Sequence, residues 1–361
     1  MMDSRILELA FLWLYILAIV ALMLQYSKFS KRLQVKISIG LCIVFAAYYA
    51  VRNLGLDLPN YALMYANHFA RTTAETLTSE NLLNNSYESG NYILGYFLGA
   101  TGFRIYLFLL TSFTCLVAAT ISSKQDNPLL YCGTFLLLNC FSPDQTRQFG
   151  AEGFLLLSYL VPNTIFAFIV AMLSGIFHYG TMPASFAVLL RGKKLSQVAV
   201  LVFIVLGIPL CVMLMVLIPD LFANIEGLST VGSKVGTYST RGLYATTDLV
   251  RLVTQFLPPI MAICFIGYFS SKFKVNELGK LQKWALNSGK IAAIFFVILL
   301  FGAQSDAMAT RIFSAANIGL FLLVGFLMEN NATSKCHIGI LLWLVFSNIL
   351  STSYLFYSFV S

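Results

Sequence analysis

Three proton acceptors, Asp57, Glu88 and His178, lie far apart in the chain but always where an apolar stretch gives way to a polar one. Two arginines, Arg147 and Arg311, occupy similar boundaries. An acid or imidazole can take a proton from an attacking hydroxyl. An arginine fork can grip a departing phosphate or carboxylate and never loses its charge. Together these are the parts needed to activate a nucleophile while an anion is held in place.

The short polar segments around them extend the list. "GLDLPNYALMY" (55–65) offers Asn60 and Tyr61 beside Asp57, and "NNSYESGNY" (84–92) carries Glu88 just ahead of the apolar segment Tyr92–Ala100. That segment is too short to cross a bilayer. In "SPDQTRQFGAEGFLLL", Arg147 opens a helix and Glu152 lies more than a turn inside it. An ionisable group at such depth is costly and points to function or to a partner. Arg147 pairing with Glu152 is the structural alternative, although a spacing of five is not ideal on one helix face. "SGIFHYGTMPAS" places His178 at a helix end, before Gly180 and Pro183, where capping is the plainer role. The segment 219–248 mixes Gly, Ser and Thr with Tyr238, Arg241 and Tyr244, a composition suited to stacking and hydrogen bonding sugar rings, or to a passive connector. No Asp/Glu/His spacing suggests a metal site.

The elements that must position these residues follow from composition. The chain is 58% hydrophobic and 11% charged, against roughly 25% charged residues in soluble domains. Its apolar residues form long runs, among them 6–26, 37–51, 103–121, 129–142, 148–161, 164–177, 197–218, 248–269, 312–328 and 338–359. Runs of about 18 residues or more read as membrane helices. Shorter runs at 182–190 and 291–302 are expected to be half-helices or parts of broken spans. The expectation is an all-α polytopic integral membrane protein with about 11–12 spanning or half-spanning helices, a single transmembrane domain over 1–361. The first run is too long for a signal-peptide core and is read as a retained helix. The seven cysteines form no CxxC pair and read as small buried hydrophobes.

Basic residues sort by side. Lysine-rich loops at 28–36, 191–194 and 272–290, with Lys124 and Lys335, fall on one face, which is then cytoplasmic. The opposite face receives residues 52–102 and 219–247 as periplasmic loops. Arginines 5, 52, 71, 104, 147, 241, 251 and 311 fall on that face, with Lys234 as its lysine. This is either an anion-handling surface or the tolerance of arginine for an interface.

These motifs, in this order, resemble the bacterial polysaccharide polymerases of the Wzy and EpsG type, which include the O-antigen and exopolysaccharide polymerases. The resemblance rests on "GLDLPNY", "ESGNY", "RQFGA" (147–151), "IFHYG" (176–180), the tyrosine-bearing loop and "ATRIFSAAN" (309–317), and covers most of residues 1–330. Tyr179 stands where that family usually has a small apolar residue, and the large loop matches poorly. The resemblance implies a fold like that of the lipid-donor (GT-C-like) glycosyltransferases, with no metal or other cofactor. It implies transfer of a growing glycan from undecaprenyl diphosphate onto a lipid-linked repeat unit, at the periplasmic face of the bacterial inner membrane. Asp57, Glu88 and His178 would then be the catalytic candidates, and Arg147, Arg311, Asn60, Tyr61, Tyr238 and Arg241 the substrate-binding ones. The implied partners are the lipid-linked oligosaccharide, membrane lipids and a chain-length regulator protein, and not nucleic acid. An O-antigen ligase is the nearest rival reading. A flippase would more often show repeat symmetry and mid-membrane polar residues.

The sidedness is open to test. Tyr238→Cys should react with an impermeant maleimide added to intact spheroplasts, and Lys280→Cys should not. The reverse pattern would invert the topology and move every candidate residue to the cytoplasmic face.

Overall fold

The computed structural model describes residues 2–52, 58–77, 88–140, 146–190, 197–223, 249–274, 277–302, 309, 312–315, 318–330 and 338–349. Every regular element among them is helical. Four of these helices are long and apolar enough to cross a membrane: Ile6–Leu24, Lys31–Val51, Phe103–Ser123 and Lys280–Phe301. The chain is an all-α membrane protein.

The helices follow as α1 (Met2–Leu24), α2 (Lys31–Val51), α3 (Leu58–Asn67), α4 (Ser89–Leu98), α5 (Phe103–Ser123), α6 (Pro128–Leu138) and α7 (Thr146–Ser158). Next come α8 (Thr164–Met172), α9 (Ser174–Phe177), α10 (Met182–Ser185), α11 (Gln197–Ala223), α12 (Leu249–Lys272), α13 (Lys280–Gly302) and α14 (Leu320–Asn330). A last apolar helix, α15, runs Ile338–Ile349. Local chemistry sets several ends. Ser30 accepts the Leu33 amide at the start of α2, Asn163 accepts two amides at the start of α8, and Pro128 opens α6; each satisfies or dispenses with an amide that the helix leaves unpaired.

Burial is the reverse of a soluble protein's only on the outside. α6 is buried on all sides from Pro128 to Leu137, with α1, α2, α5 and α14 packed around it. α1 turns Leu12, Ile16, Ile19 and Met23 inward and leaves Leu7, Leu14 and Leu17 exposed. α11 exposes Leu201, Phe203, Val205, Leu206 and Leu210. Such apolar outer faces are untenable in water and natural against lipid. Cys42, Cys115, Cys132 and Cys140 are buried free thiols, which agrees with their reading as small core residues. Cys264 is exposed.

The bundle has two chemically different ends. At one, Lys31 faces Asp126 at 3.8 Å, Glu329 accepts from Asn127 and Tyr131 at 2.7 and 2.6 Å, and Gln282 donates to Gln125 at 2.9 Å. At the other, the Tyr49 hydroxyl donates to the Cys140 carbonyl. There Arg104 donates to the carbonyls of Ala50 and Arg52 at 3.1 and 2.5 Å. Arg104 thus caps the C-terminus of α2, and Arg52 stacks on Tyr49 at 3.9 Å. Two of the arginines of the arginine-rich face therefore do structural work.

Segment lengths differ from expectation in four places. The run 291–302 is not a half-helix: α13 starts at Lys280, so much of the lysine-rich stretch 272–290 is helical. Its polar positions are taken up by the bundle, where Tyr159 donates to Ser288 at 3.0 Å and Trp284, Asn287 and Ser288 are buried. The run 164–177 is divided into α8 and α9. The stretch 52–102 holds α3 and α4, and residues 219–223 belong to α11; residues 224–247 lie outside the described residues. The run 182–190 does form a broken element, α10 followed by a 3-10 turn.

A small second core carries α3 and α4. Leu58, Tyr65, Phe69, Tyr92, Tyr106, Leu107 and Leu110 form it, with Phe69 and Tyr92 edge to face at 5.2 Å. Gly95 lets α4 lie directly on the Phe69 backbone, since a Cβ there would collide with the Phe69 carbonyl group. Gly95→Ala should cost about 1–3 kcal/mol, in the range of overpacked cores. A lowered midpoint of thermal unfolding in detergent checks this, and an unchanged midpoint would contradict the packing.

Candidate active site

Glu88 is the residue just before α4, with an extended backbone and no side-chain bond capping the amides of that helix. Its carboxylate is buried, 2% exposed. Oε2 accepts from Arg147 Nη1 at 2.5 Å, and Oε1 lies 3.3 Å from His178 Nδ1. Asn91 Nδ2 approaches Oε2 at 3.4 Å.

Each partner comes from a different helix. Arg147 is in the first turn of α7, where the aligned peptide dipoles already place positive charge. An arginine there makes the local field strongly positive, and an anion is the natural complement. Gly150 and Gly153 bring α7 close to α5: Cβ atoms there would lie 2.8 Å from Leu110 and 2.6 Å from Phe113. His178 terminates α9 in an extended conformation, and its amide donates to Ser174 at 2.9 Å. Its carbonyl accepts from the Thr181 hydroxyl at 2.7 Å, so the break after "IFH" is held from both sides. Tyr61 on α3 puts its ring 5.6 Å from the Arg147 guanidinium, a cation–π distance.

Asn91 ties these parts together. It is fully buried. Its amide donates to the Phe177 carbonyl at 3.0 Å, immediately before His178. Its oxygen accepts from the Tyr106 hydroxyl of α5 at 2.6 Å. Gly90 allows the contact, because a Cβ there would stand 2.8–2.9 Å from the Ile176 side chain and carbonyl.

Of the residues expected from sequence, Glu88, Arg147, His178 and Tyr61 converge. Asn60 is exposed on α3 next to Tyr61. Asp57, Tyr238, Arg241 and Arg311 lie outside the described residues. Arg147 is bound to Glu88 and not to Glu152. Glu152 is buried deeper on α7 and accepts from Gln148 at 3.0 Å and Ser314 at 3.5 Å, so their spacing of five is no obstacle because no pairing is required. Asn91 and Tyr106 were missed. Asn91 is within the quoted "ESGNY", but Tyr106 is hidden in the apolar run "FRIYLFLL" and carries no local signal. Among the described residues, no cluster of three or more His, Cys, Asp or Glu could hold a metal ion.

The EpsG family profile matches residues 36–360. The chain belongs to the EpsG family. Neither the curated proteins nor the solved structures return a match to it. The whole Glu88–Arg147–His178 cluster of this EpsG-family chain falls inside the matched region, as do α3, α4, α7 and α9, which carry it.

Asn91 links α4 to the end of α9 and to α5 through these bonds. Asn91→Ala leaves the Phe177 carbonyl and the Tyr106 hydroxyl without this partner, at about 1–3 kcal/mol for buried groups. Polymer output in vivo should fall with normal membrane protein levels. Tyr106→Phe, which removes one hydrogen bond, should fall less. Equal output from wild type and Asn91→Ala would show that the network is dispensable.

Proposed function

We propose that this protein is a polysaccharide polymerase acting on lipid-diphosphate-linked oligosaccharides at the periplasmic face of the bacterial inner membrane. Membership of the EpsG family supports a polymerase-like role in polysaccharide synthesis. One observation favours glycosyl transfer with a diphosphate leaving group: a guanidinium at a helix N-terminus, 12% exposed, beside a buried acid–imidazole pair.

In this reading the donor's anomeric C–O bond breaks and its electron pair stays on the diphosphate, which Arg147 and the α7 N-terminus stabilise. The oxygen of an acceptor sugar hydroxyl forms the new bond to the anomeric carbon. Its proton passes to the Glu88–His178 pair. The ring of Tyr61 offers an apolar face beside the reacting sugar. Asp57 is kept as a further catalytic candidate, and Arg311, Tyr238 and Arg241 as further substrate-binding candidates.

Deletion of the gene, followed by electrophoresis of cell-surface and lipid-linked glycans, tests the reading. Loss of long polymer with single lipid-linked repeats still exported is expected. Polymer that forms but is not attached would indicate a ligase, and repeats trapped inside would indicate a flippase. In complementation, Arg147→Ala should lose nearly all polymer, while Arg147→Lys, which keeps charge without the fork, should retain part. Losing a charge-assisted hydrogen bond costs about 1.5–3 kcal/mol, or roughly tenfold to a hundredfold in rate. Arg147→Ala/Glu152→Ala should not recover polymer, because Arg147 is paired with Glu88. Full-length polymer from Arg147→Ala at normal protein level would overturn the assignment.

A further inference from the structure

We propose that the Glu88 carboxylate occupies the subsite of the donor's diphosphate and that donor binding displaces it, so that anion binding and release of the proton acceptor are one event. The inference rests on the polymerase reading of the site. It adds which atoms mark the phosphate subsite and what must move for the donor to enter.

The first support is where the carboxylate lies. Glu88 stands just before α4, and its side chain makes no capping bond there. It reaches across to Arg147, 59 residues away, at 2.5 Å. The other two contacts described for its oxygens, with His178 and Asn91, are longer at 3.3 and 3.4 Å. The guanidinium is therefore the tightest of the three holds on the carboxylate.

The second support is the charge balance. Arg147 is in the first turn of α7, where the helix dipole adds partial positive charge to that of the guanidinium. Leaving that charge buried without a counterion would be costly, and Glu88 supplies one negative charge. A diphosphate supplies more charge and more acceptor oxygens, matched to the planar fork and to helix-terminal amides. Exchange of carboxylate for phosphate on Arg147 keeps the guanidinium compensated throughout. Glu88 then retains His178 and Asn91 and is relieved of the guanidinium. A carboxylate oxygen bound by a guanidinium is a poor proton acceptor, and one freed from it is a better one. The exchange itself makes and breaks no covalent bond. In the transfer that follows, the acceptor hydroxyl's proton goes to the Glu88–His178 pair and the electron pair of the broken C–O bond goes to the diphosphate.

The arrangement therefore makes Glu88 both an internal competitor of the donor and a participant in turnover. Those two roles predict opposite effects of the same substitution. Removing the competitor raises diphosphate affinity, because apparent affinity is reduced by the fraction of molecules in which the subsite is open. Removing the participant abolishes polymer.

The full-length protein purified in detergent is titrated with farnesyl diphosphate, and with farnesol as the control lacking phosphate. Glu88→Gln should bind farnesyl diphosphate about tenfold more tightly than wild type, which corresponds to roughly a tenth of molecules open at rest. Glu88→Asp keeps the charge but shortens the reach, and should also bind more tightly; it decides the matter if Glu88→Gln does not fold. Arg147→Ala should bind the diphosphate no better than farnesol. Neither Glu88 variant should restore polymer to a deletion strain at the wild-type level. Unchanged or weaker diphosphate binding in the Glu88 variants, with binding still dependent on Arg147, would overturn the displacement while leaving the polymerase reading intact. Failure of wild type and all variants to prefer the diphosphate over farnesol would overturn both.

Discussion

A carboxylate removed from water must be compensated, and Glu88 is the point on which this end of the protein turns. Its neighbours come from α7, from the end of α9 and from the first turn of α4. Arg147 and His178 lie 59 and 90 residues further along the chain. An unpaired buried acid would cost several kcal/mol, so burial of Glu88 is possible only when all three elements are in place. The reverse also holds: the pair draws α4, α7 and α9 to a common point at the mouth of the bundle.

What keeps that point rigid is not ionic. The aromatic cluster of Tyr65, Phe69, Tyr92 and Tyr106 fixes α3 and α4 against α5. The Tyr106 hydroxyl extends from it into the site through Asn91. Apolar packing and the polar network therefore share one residue, and a disturbance of either reaches the other. Deeper in, the wholly buried α6 is the pillar around which α1, α2, α5 and α14 pack. Small residues on α7 allow the close approach that brings Arg147 to the cluster. In a bilayer, where lipid offers no hydrophobic drive between helices, such close packing and shared hydrogen bonds are what hold the helices together.

The division between the two ends has a physical logic. At the lysine-bearing end, the polar contacts join helix ends to one another: Gln34 receives the Leu129 amide, and Glu329 gathers Asn127 and Tyr131. At the other end arginine replaces lysine. Arg104 uses its fork to close the carbonyls at the end of α2, and Arg52 lies flat on a tyrosine ring. A guanidinium is suited to both tasks because it is planar and weakly hydrated. Part of the arginine bias of that face is therefore scaffold, which charge sorting alone could not reveal.

Sequence alone determined the solvent and the building material. Long apolar runs with few charges can only be helices in lipid, since every backbone group must be satisfied within its own segment. It also narrowed the chemistry to a few polar islands, and Glu88, Arg147, His178 and Tyr61 stand out in it by type and position. The partners were decided by tertiary structure. Glu152 is near Arg147 in the chain, yet Glu88 holds it, because pairing depends on which helix mouths meet and not on spacing along one helix. Hydropathy misplaced the start of α13 for a related reason: Lys280, Lys283 and Lys290 lower its local average, while the bundle accepts Asn287 and Ser288 through contacts with distant helices. Tyr106 looked like one more apolar residue of a membrane helix. Only the packing of α5 against α4 gives its hydroxyl a purpose, by delivering it to Asn91.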